Sequence, residues 1–162
     1  HAKFQVVNQH QYISQNHYNR IKRRDEAHPQ LAEFERRACR EKKMNQDRMD
    51  NLMGSPVPYG DVVQLRHVVS GKFLSSNPKD AADHDTNGFK IRLSTGSADS
   101  FMVIHPRFKS KSDGDSIRYD DLIALHFLSG GNISNKNLPM DAYWFFETRE
   151  PIMEVACAKE KT

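Results

Sequence analysis

Tyr59-Gly60-Asp61-Val62-Val63-Gln64-Leu65-Arg66-His67-Val68, followed by Ser70-Gly71-Lys72-Phe73-Leu74-Ser75, is the stretch that decides the fold. Residues 61–68 read as a strand, Ser70-Gly71 supplies the turn chemistry, and residues 72–75 form a short return strand. The pattern recurs downstream. Phe89-Lys90-Ile91-Arg92-Leu93 alternates as a half-buried strand does, and Phe101-Met102-Val103-Ile104-His105 is stopped by Pro106. Ile117-Arg118-Tyr119, residues 122–128 and residues 143–148 are further candidates, and Gly130-Gly131 marks a tight reversal. The polar stretch 77–88 and the charged stretch 109–115 read as loops. Short strands at roughly 10- to 12-residue spacing predict a sandwich or a small barrel. Tyr119-Asp120-Asp121-Leu122-Ile123-Ala124-Leu125 faintly repeats Tyr59-Gly60-Asp61-Val62-Val63-Gln64-Leu65, which a pseudo-symmetric barrel would tolerate.

Upstream, the period changes. Residues 4–7 (Phe-Gln-Val-Val) suit one strand, whereas residues 12–24 space Ile13, His17 or Tyr18, and Ile21 by three or four, as a helix does. Pro29 suits a helix start, and Gly54 with Pro56 suits its end, so a second helix is expected over 29–53. Leu31, Phe34 and Ala38 lie at its start and Met49, Leu52 and Met53 at its end, with only Met44 between. A helix with a polar middle is hard to bury, so it is expected to project as half of a helical hairpin turning at 25–28. The domain reading is therefore a β core over 4–7 and 57–148, a helical arm over 12–54, and a tail or linker over 149–162.

The chain has 162 residues, 37% hydrophobic and 28% charged, with a net charge of +3. Its mean hydropathy of −0.77 is more polar than one compact domain requires. Residues 1–56 carry 11 Lys/Arg against 7 Asp/Glu, and residues 57–162 carry 13 against 14. The basic clusters of Arg20, Lys22, Arg23, Arg24 and of Arg36, Arg37, Arg40, Lys42, Lys43 are interrupted by Asp25, Glu26, Glu33, Glu35 and Glu41. Nucleic-acid binding calls for one continuous positive face or stacking aromatics, so a solvated helix face laced by i,i+4 pairs such as Glu33 with Arg37 fits better. No apolar run approaches the ~20 residues of a membrane helix. The first residues lack the apolar core of a signal peptide, and the chain reads as a segment of a longer product.

No constellation for catalysis is assembled. Asp83-His84-Asp85 is the most metal-like cluster but sits in a soluble loop. Asp80, Asp83, Asp85 and Asn87 lack the mid-loop Gly and terminal Glu of an EF-hand. Cys39 and Cys157 set neither a zinc spacing nor a disulfide framework, and suit a reducing compartment. An enzyme is not expected, nor any cofactor or metal. In Pro106-Arg107-Phe108-Lys109-Ser110-Lys111, charged neighbours leave Phe108 no apolar company. It is therefore expected to face solvent and to serve as an interface anchor, the alternative being a lid over the barrel end.

The 59–75 stretch resembles the inositol 1,4,5-trisphosphate receptor family and, more broadly, the β-trefoil repeats shared with ryanodine receptors and protein mannosyltransferases. Phe101-Met102-Val103-Ile104-His105-Pro106 and Ser112-Asp113-Gly114-Asp115-Ser116-Ile117 are similar to a second motif of that family, with Ser100 standing where the family has tryptophan. Residues 4–24 and 31–54 resemble the helical arm inserted in its first trefoil. The resemblance covers residues 4–148 and implies a mainly β fold: a partial β-trefoil, its first strands missing before Phe4, with an inserted helix-turn-helix arm.

It further implies the amino-terminal suppressor or coupling domain of an intracellular calcium-release channel. Such a domain would sit on the cytosolic face of the endoplasmic reticulum. Its partners would be neighbouring subunits of a homotetramer and the ligand-binding domains that follow, with no nucleic acid and no membrane insertion of its own. Phe108 and Lys109 match a Tyr-Lys pair on the family's coupling loop, and Phe keeps the packing surface while losing the hydroxyl. The partner-contact candidates are Phe108, Lys109, Lys111, Arg36, Arg37, Arg40, Lys42 and Lys43. One alternative is a structural trefoil module gripping a cytoskeletal or ciliary assembly through its basic helix, placing it in a cytoplasmic or ciliary assembly. Another is a sugar- or inositol-phosphate-binding trefoil using Arg66, Lys72, Lys90, Arg92 and Arg107.

Overall fold

The computed structural model describes residues 3–81, 83, 88–128, 137–146 and 151–158, with the backbone alone at 78, 88, 137–146 and 151–158. The element order is β1 (Phe4–Asn8), α1 (Ile13–Arg24), α2 (Leu31–Leu52), β2 (Val62–His67), β3 (Phe73–Ala81), β4 (Gly88–Ser94), a 3-10 turn (Ala98–Ser100), β5 (Met102–Pro106), β6 (Ile123–Leu128), β7 (Asn137–Phe146) and β8 (Pro151–Ala158). The chain divides into two compact units, His1–Val7 with Pro56–Thr162, and Asn8–Ser55. The fold is mixed, helices plus sheet, rather than mainly β.

In the first unit the described strands form one eight-stranded sheet, not the two of a sandwich. Their order is β1-β2-β3-β4-β8-β7-β6-β5, and β5 also pairs with β2. The β2–β5 register sets Val62 opposite Val103 and Val63 opposite Met102, while the far end of β2 pairs Arg66 with Phe73 of β3. β2 thus serves two neighbours with its two ends. Its inward residues meet those of β5 and β6 in a cluster of Tyr59, Val63, Met102, Ile104 and Phe127, none more than 4% exposed. Gln64 is also fully buried, and its amide donates to Ser100 Oγ at 2.6 Å. The hydroxyl of Ser100 in turn donates to the Ser97 carbonyl at 2.6 Å, so the buried Ser100 is part of a satisfied polar pair.

Several sequence expectations differ from the structure. The loop expected over 77–88 begins as strand, because β3 runs to Ala81 and pairs Ala81 with Phe89 after a register shift beyond Ser76. Asn77 Oδ1 accepts from the Lys79 amide there, and Arg92 Nη1 reaches Asp80 Oδ2 at 2.8 Å. A bulge thus absorbs Pro78, which has no N–H to give the ladder. Residues 117–119 are not a strand: the Ile117 amide donates to Val57, but Pro58 reduces the pairing to an isolated bridge with Ser116. Residues 151–158 are not a tail but a strand, pairing with β7 from Pro151↔Phe146 to Cys157↔Met140 and with β4 at Ala156–Ala158. His84, Asp85, Asn87, Gly130 and Gly131 lie outside the described residues.

The second unit is an antiparallel helical pair. The buried and half-buried positions Leu31, Phe34, Ala38, Glu41, Asn45 and Met49 fall on one stripe of α2, and they include the polar Glu41 and Asn45. The polar middle is therefore the packing face. α1 begins at Tyr12 with no side-chain cap and no acidic residue in its first turn. Glu41, 8% exposed, supplies both: its carboxylate accepts from the amides of Ser14 at 2.8 Å and Gln15 at 3.1 Å. These are the orphan donors that a helix cap satisfies, and the negative charge suits the positive end of the dipole. Asn45 exchanges two bonds with the backbone of Gln11, at 2.9 and 2.8 Å. His17 packs edge-on against Phe34, with centroids 4.6 Å apart.

Glu41→Ala should strip both amides of their acceptor and cost about 1–2 kcal/mol. Glu41→Gln, which keeps one acceptor oxygen, should fall between the two. Amide exchange at Ser14 and Gln15 reads the effect directly, and unchanged protection in Glu41→Ala would refute the cap.

Candidate functional site

Tyr59 organises the segment that carries the candidate contact loop. Its ring is 1% exposed within the core cluster, yet its three polar atoms all engage residues 114–121. The amide donates to the Asp115 carbonyl at 2.9 Å, the carbonyl accepts from Gly114 at 2.8 Å, and the hydroxyl donates to Asp121 Oδ2 at 2.9 Å. The next residue, Gly60, has φ +86°, and a Cβ there would lie 2.9 Å from Asp113 Cγ. Only glycine permits that approach without displacing the aspartate.

Asp121 gathers the other end of the segment. The same Oδ2 accepts from the Arg118 amide at 2.8 Å and lies 3.5 Å from Lys111 Nζ. The Arg118 amide bond, followed by the Tyr59 hydroxyl bond, holds the Asp121 carboxyl below its ordinary pKa. Burial, then that same bond, raises the Tyr59 phenol. The two shifts agree in sense: each favours neutral phenol donating to ionised carboxylate.

From this clamp the loop 107–111 projects. The Arg107 amide donates to the Leu122 carbonyl at 3.0 Å, continuing the β5–β6 ladder in which Pro106 opposes Ile123. At the other end, the Ser112 amide is held by Asp115 Oδ2 at 2.9 Å. Between these anchors Phe108 is 62% exposed. Leu122 at 66%, Ile123 at 42% and Tyr119 at 109% are also exposed around the base of this loop. Sequence reasoning missed these three, although the Tyr119–Leu125 repeat pointed at their segment. The repeat holds for the strands but not the tyrosines, since Tyr59 is core and Tyr119 is fully exposed.

The structure thus brings Phe108, Lys109 and Lys111 into one turn. Phe108 and Lys109 are exposed, while Lys111 is spent partly on Asp121. The arm candidates Arg36, Arg37, Arg40, Lys42 and Lys43 are all exposed on α2. Arg36 and Arg37 pair with Glu33 at 3.7 and 2.9 Å, and Arg37 holds the Glu33 carboxyl below its ordinary pKa. Arg36, Arg40 and Lys43 recur at i, i+4 and i+7 opposite the buried stripe, whereas Lys42 lies on a different side. Of the basic residues considered for a phosphate pocket, Lys90 and Arg92 face carboxylates, Asp83 at 2.6 Å and Asp80 at 2.8 Å. Among the described residues no three His, Cys, Asp or Glu side chains are placed to hold a metal ion, and no helix is long and apolar enough to cross a membrane.

A family model described as inositol 1,4,5-trisphosphate/ryanodine receptor matches residues 1–139, and the chain belongs to that family. It is 29% identical over 89 residues to the inositol 1,4,5-trisphosphate receptor itr-1 of Caenorhabditis elegans, a match covering 54% of this chain and 3% of that protein. The chain thus corresponds to a small part of that relative, and is a non-catalytic domain of the family.

The Asp121 clamp has a pH signature. Because its folded pKa is lowered, it contributes stability above the unfolded carboxylate value of about 3.9, and that contribution fades as pH falls through the folded value. Wild type should therefore unfold at higher denaturant than Asp121→Asn near neutrality, with the gap closing on acidification below about pH 3.9. Denaturant midpoints across that range measure it, and a gap independent of pH would contradict the clamp.

Proposed function

We propose that this domain is a coupling module of an intracellular inositol-trisphosphate-gated calcium-release channel, transmitting the ligand signal through contacts with neighbouring subunits of a homotetramer and with the ligand-binding domains that follow. On this reading it lies on the cytosolic face of the endoplasmic reticulum. Its core, over residues 4–7 and 57–158 with β8 included, is a trefoil that closes through the β2–β5 pairing, with residues 12–54 as the inserted arm. The observation that carries the proposal is the presentation of Phe108: an exposed aromatic on a loop whose two ends are tied by named hydrogen bonds, beside Lys109 and Lys111. An ordered aromatic with cationic neighbours loses little conformational freedom on docking, as interface anchors require.

A second reading has its own support. Arg36, Arg40 and Lys43 form an outward stripe on α2 beside Met44, which is 58% exposed, and this suits a grip on an acidic partner in a structural assembly.

Phe108→Ala separates the readings. As a coupling anchor it should leave the thermal midpoint nearly unchanged while weakening association with the rest of the channel by ~2 kcal/mol. A stability loss of ~3–5 kcal/mol with association intact would mark Phe108 as a packing residue and end the proposal. Association unaffected by Phe108→Ala but abolished by neutralising Arg36, Arg37, Arg40, Lys42 and Lys43 would favour the second reading.

A further inference from the structure

We propose that Ser110 is a phosphorylation site for a serine/threonine kinase whose substrate groove is acidic. The loop places Arg107 three residues before Ser110, Lys109 immediately before it and Lys111 immediately after. A groove lined by carboxylates binds such a sequence by charge complementarity. Residues 107–110 are all exposed, and the Ser110 hydroxyl makes no hydrogen bond among the described residues. A kinase must also draw its substrate into an extended conformation. Between the anchors at Arg107 and Ser112 the turn has one backbone bond, Lys111 to Phe108 at a long 3.5 Å, and the partly exposed Lys111–Asp121 pair. Opening it leaves the sheet ladder untouched.

The other serines nearby are less suited. Ser112 is locked into a turn with Asp115 and is followed by Asp113, whose charge an acidic groove repels. The Ser70 hydroxyl is engaged with the His67 ring at 2.9 Å and accepts from the Lys72 amide at 3.3 Å. Ser75 and Ser76 are buried in β3.

In the transfer, Ser110 Oγ bonds to the γ-phosphorus of magnesium-bound ATP as the bond from that phosphorus to the β,γ-bridging oxygen breaks. ADP departs with that electron pair, and the hydroxyl proton passes to the catalytic carboxylate of the kinase. The product adds about −1.5 to −2 charge between three cations and competes with Asp121 for Lys111. The acceptor assignment stands on the exposure and charge of the loop and does not depend on the coupling role. Its consequence for docking of Phe108 does.

The test is incubation of the protein with magnesium-ATP and the catalytic domain of protein kinase C as probe, followed by mapping of phosphopeptides by mass spectrometry. Phosphate should be found at Ser110, Ser110→Ala should lower incorporation at least tenfold, and Arg107→Ala should slow the initial rate by about tenfold. Arg107 uses only its backbone in the fold, so circular dichroism of that variant should match wild type. No incorporation, incorporation at Ser112 instead, or a rate indifferent to Arg107 would overturn the assignment. These readouts involve no channel partner, so their failure is distinct from failure of the coupling proposal.

Discussion

The bonds of Tyr59 to residues 114–121 are the constraint on which the presented surface depends. A tyrosine ring at the centre of an apolar cluster is fixed in place by packing. With its amide, carbonyl and hydroxyl all bonded to one segment, that fixity passes to the segment. Asp121 then relays it through one carboxylate oxygen to Arg118 and Lys111. The outcome is a loop long enough to project and anchored enough to keep its shape. Buried polar networks of this kind reward full satisfaction, because each unpaired member in a low-dielectric setting would be costly.

The arm obeys the same principle with different residues. α1 brings neither cap nor acidic first turn, and the two helices meet across a face that carries Glu41 and Asn45 among apolar neighbours. Both side chains point at backbone groups that would otherwise be orphaned. The polar residues that make α2 look unburiable therefore specify its register against α1: shifting the pair by one turn would leave a carboxylate buried without donors. Specificity and stability come from the same contacts.

Much of this was legible in the sequence because it is local. Alternation in Val62–His67 and Phe89–Leu93, the Ser70-Gly71 turn, and the spacing of four between Ile13, His17 and Ile21 each depend on nearest neighbours along the chain. What escaped depends on distant partners. β3 continues past Pro78 to Ala81, which pairs with Phe89 of β4, and Arg92, twelve residues beyond Asp80, meets its carboxylate. Ile117-Arg118-Tyr119 alternates like a strand, but its would-be partner contains Pro58, so the pairing stops at one bridge. Glu41 as a cap for another helix has no local signature at all. For the contact loop, Phe108 could be placed in solvent from its charged neighbours, whereas the exposed Tyr119, Leu122 and Ile123 beneath it follow from how β6 leaves the clamp.

The central claim is that the anchored loop at 107–111 is the surface this domain offers to a partner. Hydrogen exchange of this chain alone and within the channel assembly proposed above, followed by mass spectrometry, tests it most directly. Slowed exchange on assembly concentrated in peptides spanning 107–111, with the β6 peptide 123–128 unchanged, is the predicted result. Equal exchange of the 107–111 peptides in both states would contradict it.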